Sequence, residues 1–229
     1  FRRVFCSLKN FLTHAFLWIR NIFRGSEEPR GLKCVIGLGN PGEQYSSTRH
    51  NVGMRVVDSL AKTLGTKMQR GKGGFRFARC TDQGDRFLII APLMFMNESG
   101  RAVEQAMKQF NLSSFDAMVV YDDFQLPLGT LRIRKEGTDG GHNGLASITY
   151  QLQTENIPRL RVGIAGKNCP TENKKELMAA YVLSEFDDNE IWIAEEMIDH
   201  ARAATLSWVH KGIEHTMNDY NKSFLPQGS

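Results

Sequence analysis

The sequence predicts an α/β fold: a single domain with a twisted mixed sheet flanked by helices, preceded by an N-terminal amphipathic helical extension. Three observations carry this. Short apolar runs of strand character alternate with apolar stripes at helical spacing, the pattern of a sheet covered by helices on both faces. One pair of runs flanks the turn signal Asp82-Gln83-Gly84-Asp85, which makes those two strands a hairpin. The 229 residues are 41% hydrophobic and 24% charged, an ordinary balance for a domain that buries one core. No apolar run approaches the roughly 20 residues of a membrane helix, and 21 glycines and 7 prolines are too scattered for a low-complexity chain.

From Phe1 to Arg24, Val4, Leu8, Phe11, Ala15, Ile19 and Phe23 recur at helical spacing between Arg2, Arg3, Lys9, Arg20 and Arg24, with no acid among them. Such a basic amphipathic segment suits organelle targeting, a membrane surface or a protein partner. The breakers and charges from Gly25 to Gly31 read as a linker, so the expected divisions are 1–31 for the extension, 32–221 for the domain and 222–229 for a loose polar tail. Leu32 to Leu38 reads as the first strand. Met54, Val57, Leu60, Ala61 and Leu64 mark a helix, Phe75 to Thr81 and Arg86 to Ile90 the hairpin, and Val103, Ala106, Met107 and Phe110 a second helix. Strands follow at Ala117 to Tyr121, Thr130 to Arg134 and Leu160 to Ile164, with a helical stripe at Leu145, Ile148, Thr149 and Leu152 and a long helix from about Asp187 to Lys211.

The formal charge of +4 permits a polyanionic partner without requiring one. Cys6, Cys34, Cys80 and Cys169 form no C-x-x-C pair and are expected to be thiols of a reducing compartment, neither disulfides nor metal ligands. Gly37-Leu38-Gly39-Asn40-Pro41-Gly42 matches G-x-G-x-x-G after a strand. A dinucleotide fingerprint must open directly into a helix whose N-terminus receives the pyrophosphate, whereas here Pro41 and a polar run to His50 delay the helix. An oxidoreductase is therefore not expected.

Asn40, His50, Asn97, Asp122 and Asn143 each fall at a strand end or in the loop after one, where open α/β sheets build their sites. Their contexts, in order, are Asn-Pro-Gly, Thr-Arg-His-Asn-Val-Gly, Phe-Met-Asn-Glu-Ser-Gly, Tyr-Asp-Asp, Leu-Pro-Leu-Gly and Gly-Gly-His-Asn-Gly-Leu. That ordered set resembles the bacterial-type peptidyl-tRNA hydrolase family from about Leu32 to Asn221. The resemblance implies a monomeric esterase, independent of metals and cofactors, that cleaves peptide from the 3′-terminal ribose of peptidyl-tRNA and so recycles tRNA during translation. It makes His50 the general base and Asp122 the carboxylate that orients it, roles that imidazole and carboxylate chemistry suits. It makes Asn40 the discriminator of peptidyl from free aminoacyl substrates, and Asn97 and Asn143 the amides that hold the ester, water or terminal nucleotide.

By the same resemblance Tyr45 and Phe95 contact the substrate terminus, and Arg134 and Arg161 grip the acceptor-stem 5′-phosphate. Arg132 shares a strand face with Arg134, and Arg159 one with Arg161, so all four are candidates for a phosphate surface. Lys67, Arg70, Lys72, Arg76 and Arg79 extend the footprint or form a solvated face. Met94 and Gln125 depart from the usual family pattern. With the extension, these leave room for a noncatalytic RNA-binding member acting in organellar ribosome assembly or RNA splicing, as one family member does in chloroplast introns. A ribosomal RNA, protein or membrane-surface partner for residues 1–24 and a mitochondrial matrix address, with a bacterial cytoplasm as the alternative, complete the expectations.

Overall fold

The structure, a computed structural model, describes residues 31–172 and 174–225. The basic amphipathic reading of residues 1–24 lies outside them. The elements run β1 (Lys33–Gly37), α1 (Val52–Thr63), β2 (Gln69–Arg70), β3 (Phe75–Asp82), β4 (Asp85–Pro92), α2 (Ser99–Phe110), β5 (Ala117–Pro127), β6 (Leu131–Arg134), α3 (Asn143–Leu152), β7 (Arg159–Ala165), α4 (Lys175–Val182), α5 (Ile191–Lys211) and α6 (Ile213–Tyr220). The seven-stranded sheet has the order β2-β3-β4-β1-β5-β7-β6. Its middle is parallel and its two edges are antiparallel, so the expected mixed sheet is what forms.

β1 is buried on both faces, as a central parallel strand must be. Val35 faces the layer made by Val57 and Leu60 of α1 with Ala201 and Trp208 of α5; Cys34 and Ile36 face Val103 and Phe110 of α2 and Ile148 of α3. The hairpin turns at Gln83 and Gly84, both at positive φ (49° and 92°), the primed geometry that follows the strand twist. Among the described residues Cys34, Cys80 and Cys169 are free thiols.

Three features differ from the sequence reading. The strand expected to stop at Tyr121 continues to Pro127, because β7 keeps pairing with it through Asp123 and again at Pro127. Helix α4 has no counterpart in that reading, since Glu176 and Lys175 interrupt its short apolar stripe. The polar tail is fastened as far as Leu225: the Asn221 amide bonds both backbone groups of Ile133, Lys222 accepts from Leu131 N–H, and Phe224 donates to Gly129. These contacts cover the edge strand β6, whose backbone groups otherwise face solvent.

The glycine motif serves packing. A Cβ on Gly53 would lie 2.2 Å from the Val120 carbonyl oxygen, and one on Gly37 equally close to the Gly53 oxygen. With both glycines, α1 lies directly on the backbone of β1 and β5, and Met54 N–H donates to Leu38 at 2.8 Å. The start of α1 is thus bonded within the protein, which is why G-x-G-x-x-G here leaves no cradle for a pyrophosphate.

Candidate active site

The loops after β1 and β4, the end of β5 and the start of α3 meet at the carboxyl ends of the parallel strands, where such sheets place their sites. They enclose a cleft of about 840 Å³ lined by Asn40, Tyr45, His50, Phe95, Asn97, Asp122 and Asn143, every catalytic candidate of the sequence. Tyr45 and Phe95 meet edge to face at 6.4 Å on its rim, with Phe95 53% exposed.

At the floor, His50 Nδ1 lies 2.8 Å from Asp122 Oδ1, and Asp122 is only 2% exposed. Burial alone would lower the His50 pKa, but the charge and hydrogen bond of Asp122 outweigh it and raise the group above the ordinary imidazole value. Burial alone would raise the Asp122 carboxyl; His50 and then His142 outweigh that and hold it well below the usual carboxylate range. Asp122 is therefore an anion, the Nδ1 proton of His50 points at it, and Nε2 is left as the basic nitrogen facing the cleft.

His142 is a site residue that the sequence reading passed over, although it stands in Gly-Gly-His-Asn-Gly-Leu beside Asn143. Its Nε2 lies 3.0 Å from the same Asp122 oxygen, while its Nδ1 accepts from Leu145 N–H at 3.2 Å as the cap of α3. An Nδ1 that accepts places a proton on Nε2, so His142 donates to Asp122 through Nε2. The same bonds matter for a metal. His50, Asp122 and His142 hold potential ligand atoms within 4.8 Å of one another, but a cation on His142 Nε2 would force the proton onto Nδ1, against Leu145 N–H.

Asn40 is held from three sides. Its backbone N–H donates to Asn51 Oδ1 at 2.8 Å, its carbonyl accepts from Asn51 Nδ2 at 2.9 Å, and its own Oδ1 accepts from Met96 N–H at 2.8 Å. That leaves the Asn40 amide nitrogen as the group available to the cleft. Asn51, directly after His50, is the second residue the sequence reading missed. Arg49 is the third: 1% exposed, it donates to Ser184 Oγ at 2.8 Å, the Glu185 carbonyl and Glu190 Oε2, and lies over the rings of Tyr181 and Phe186. It ties the His50 turn to α4, whose Met178 and Val182, with Phe124, form the apolar side of the cleft.

A second cavity of about 230 Å³ lies across the wall that Gln125 and Gly140 share with the cleft, joined by a 3.3 Å bond from Gln125 Nε2 to Gly140 O. Antiparallel pairing sets Arg132 opposite Arg161 and Arg134 opposite Arg159, so the four arginines share one face as their alternation implied. They are not equivalent. Arg134, Arg159 and Arg161 line this cavity and Arg132 does not. Arg159 is engaged by the carbonyls of Ile157, Thr138 and Glu155 at 2.8 to 3.0 Å, so each of its three nitrogens is already bonded to the loops on either side of α3. Arg70 on the edge strand β2 lies six strand spacings from β6, roughly 29 Å, and Arg76 and Arg79 on β3 lie five; Lys67 and Lys72 flank β2. There Arg76 pairs with Asp58 at 2.7 Å and Arg79 lies over Phe77 and Phe110, so this group does not continue the arginine face. Met94 packs over Gly74, on the hairpin side.

The peptidyl-tRNA hydrolase family model matches residues 34–227. The chain belongs to the peptidyl-tRNA hydrolase family. Among its relatives, the peptidyl-tRNA hydrolase of Chlorobaculum parvum is 39% identical over 192 residues, 84% of this chain and 99% of that one. That of a Sulfurihydrogenibium species is 40% identical over 195 residues, 85% and 100% of the two chains. The crystal structure of the Acinetobacter baumannii peptidyl-tRNA hydrolase superposes with a TM-score of 0.77 at 30% identity, covering 87% of this chain and 98% of that one. These relatives carry the hydrolase name and are bacterial; they lend no support to the noncatalytic or the mitochondrial expectation. Among the described residues no helix is long and apolar enough to cross a membrane.

Proposed function

We propose that this member of the peptidyl-tRNA hydrolase family hydrolyses the ester joining a peptide to the 3′-terminal ribose of tRNA, with His50 as general base. The carrying observation is the 2.8 Å bond from His50 Nδ1 to the buried Asp122, which leaves Nε2 basic at the floor of a cleft lined by Asn40, Asn97 and Asn143. His50 takes a proton from water as the water oxygen attacks the ester carbonyl, and Asp122 stabilises the imidazolium that forms. The proton then passes to the leaving ribose oxygen, which gives a free tRNA 3′-hydroxyl and a peptide carboxylic acid that loses its own proton to solvent. Asn97 and Asn143 position the ester and terminal nucleotide, and Asn40 discriminates N-blocked from free amino groups, with groups that donate and accept without charge. Phe124, Met178 and Val182 offer the acyl chain apolar lining, and Tyr45 and Phe95 offer rings to the substrate terminus.

The bonds of His142 support a reaction that uses no metal. Arg134 and Arg161 at the second cavity are assigned to the 5′-phosphate of the acceptor stem, where guanidinium forks suit phosphate oxygens. The test compares N-acetylated with unblocked aminoacyl-tRNA as substrates of the purified chain in the presence of a chelator. Turnover of the blocked substrate, abolished in His50→Ala with the fold and tRNA affinity retained, is the expected result. Turnover by His50→Ala at the wild-type rate refutes the assignment of the base, and dependence on added metal refutes the metal-free reading.

A further inference from the structure

Two adjacent acids on β5 serve different cavities. Asp122 lines the cleft, and Asp123, on the other face of the strand, lines the basic cavity. The Asp123 side chain is 10% exposed and is held at both oxygens. Its Oδ1 accepts from Gln125 N–H at 2.8 Å, and its Oδ2 accepts from Arg161 Nε–H. An arginine held through Nε keeps both terminal amino groups for another acceptor, and the residue beside which they must act lines the same cavity as Arg134.

We propose that Asp123 is the positioning residue of this phosphate site. It is a bracket that fixes the plane of the Arg161 guanidinium so that the terminal amino groups meet phosphate oxygens as a preformed fork. The inference deepens the assignment of this cavity to the tRNA 5′-phosphate and rests on it. An unbracketed arginine would have to give up its side-chain freedom on binding, which the bracket has already removed. The carboxylate also repels an incoming phosphate, but its charge is matched at contact by Arg161, so the orienting effect is the larger one. Asp122 and Asp123 thereby tie the site of the reacting ester to the site of the 5′-phosphate through a single peptide unit.

Asp123→Asn tests this, because its amide nitrogen must face either Arg161 Nε–H or Gln125 N–H, donor against donor. The substrates are N-acetylaminoacyl-tRNA with a 5′-phosphate and the same tRNA with a 5′-hydroxyl. Asp123→Asn is expected to raise KM for the phosphorylated substrate roughly tenfold, the worth of one charge-assisted hydrogen bond. It is expected to leave kcat, the pH profile of kcat and KM for the dephosphorylated substrate unchanged, and to add nothing in an Arg161→Ala background. An unchanged or lower KM, or an equal further rise in the Arg161→Ala background, overturns the bracket. A wild-type enzyme that treats the two substrates alike overturns the phosphate assignment itself, a separate failure. If Asp123→Asn does not fold, Arg161→Lys decides: KM for the phosphorylated substrate should rise as in Arg161→Ala, and a wild-type KM refutes the need for an oriented fork.

Discussion

Replacing Asp122 by Asn separates the charge of the His50 pair from its shape. The Asn oxygen can still accept from His50 Nδ1 and His142 Nε2, which lie 2.8 and 3.0 Å from Asp122 Oδ1, so the imidazoles keep their places while the anion is lost. Opposite charges about 4 Å apart at an effective dielectric of about 20 interact by about 4 kcal/mol. A proton half transferred in the transition state realises about half of that, about 2 kcal/mol, so kcat should fall roughly thirtyfold at its pH plateau. The pH profile moves as well. In the parent enzyme Asp122 raises the His50 pKa, and since the base must be unprotonated, activity climbs with pH through that raised value. Without the anion, burial alone acts on His50, so the rising limb should shift to lower pH even as the plateau drops. Steady-state hydrolysis of N-acetylaminoacyl-tRNA across pH 5 to 9 measures both effects. A limb that stays in place, or moves to higher pH, would falsify the account of how Asp122 tunes His50.

Asn40→Ala removes the amide nitrogen left facing the cleft and should erode the preference for N-blocked over unblocked aminoacyl-tRNA; an unaltered ratio of the two rates would place discrimination elsewhere. Gly53→Ala drives a methyl group into the Val120 carbonyl and should destabilise the fold by about 1 to 3 kcal/mol in urea denaturation, whereas a wild-type midpoint would show that α1 has room to shift. A chain beginning at Gly31 should fold and hydrolyse the blocked substrate, since the family match starts at residue 34 and every site residue follows it. If the shortened chain binds tRNA yet is inactive while the full chain turns over, the extension takes part in the active architecture.

Element types were legible in the sequence because they depend on local pattern, and the candidate site residues were legible through the ordered motifs that carry the family resemblance. Apolar periodicity set β1, β5, α2 and α5, the Gln83-Gly84 turn set the hairpin, and the ordered motifs around Asn40, His50, Asn97, Asp122 and Asn143 pointed to one cleft before any distance was known. Helix α4 was not legible, because its stability comes from Arg49 and Tyr181 packing across the chain and its own apolar stripe is short. Arginine spacing likewise could not say that Arg159 is engaged by three carbonyls while Arg134 and Arg161 border an open cavity. Nor could it say that the basic residues of β2 and β3 lie at the far edge of the sheet. Periodicity reports which face of an element a residue occupies; what else occupies that face is decided by strand order. For the same reason only the tertiary structure decided that His142 bonds to the same carboxylate as His50: the contact depends on Asp122, twenty residues earlier, and on the backbone N–H that fixes its tautomer.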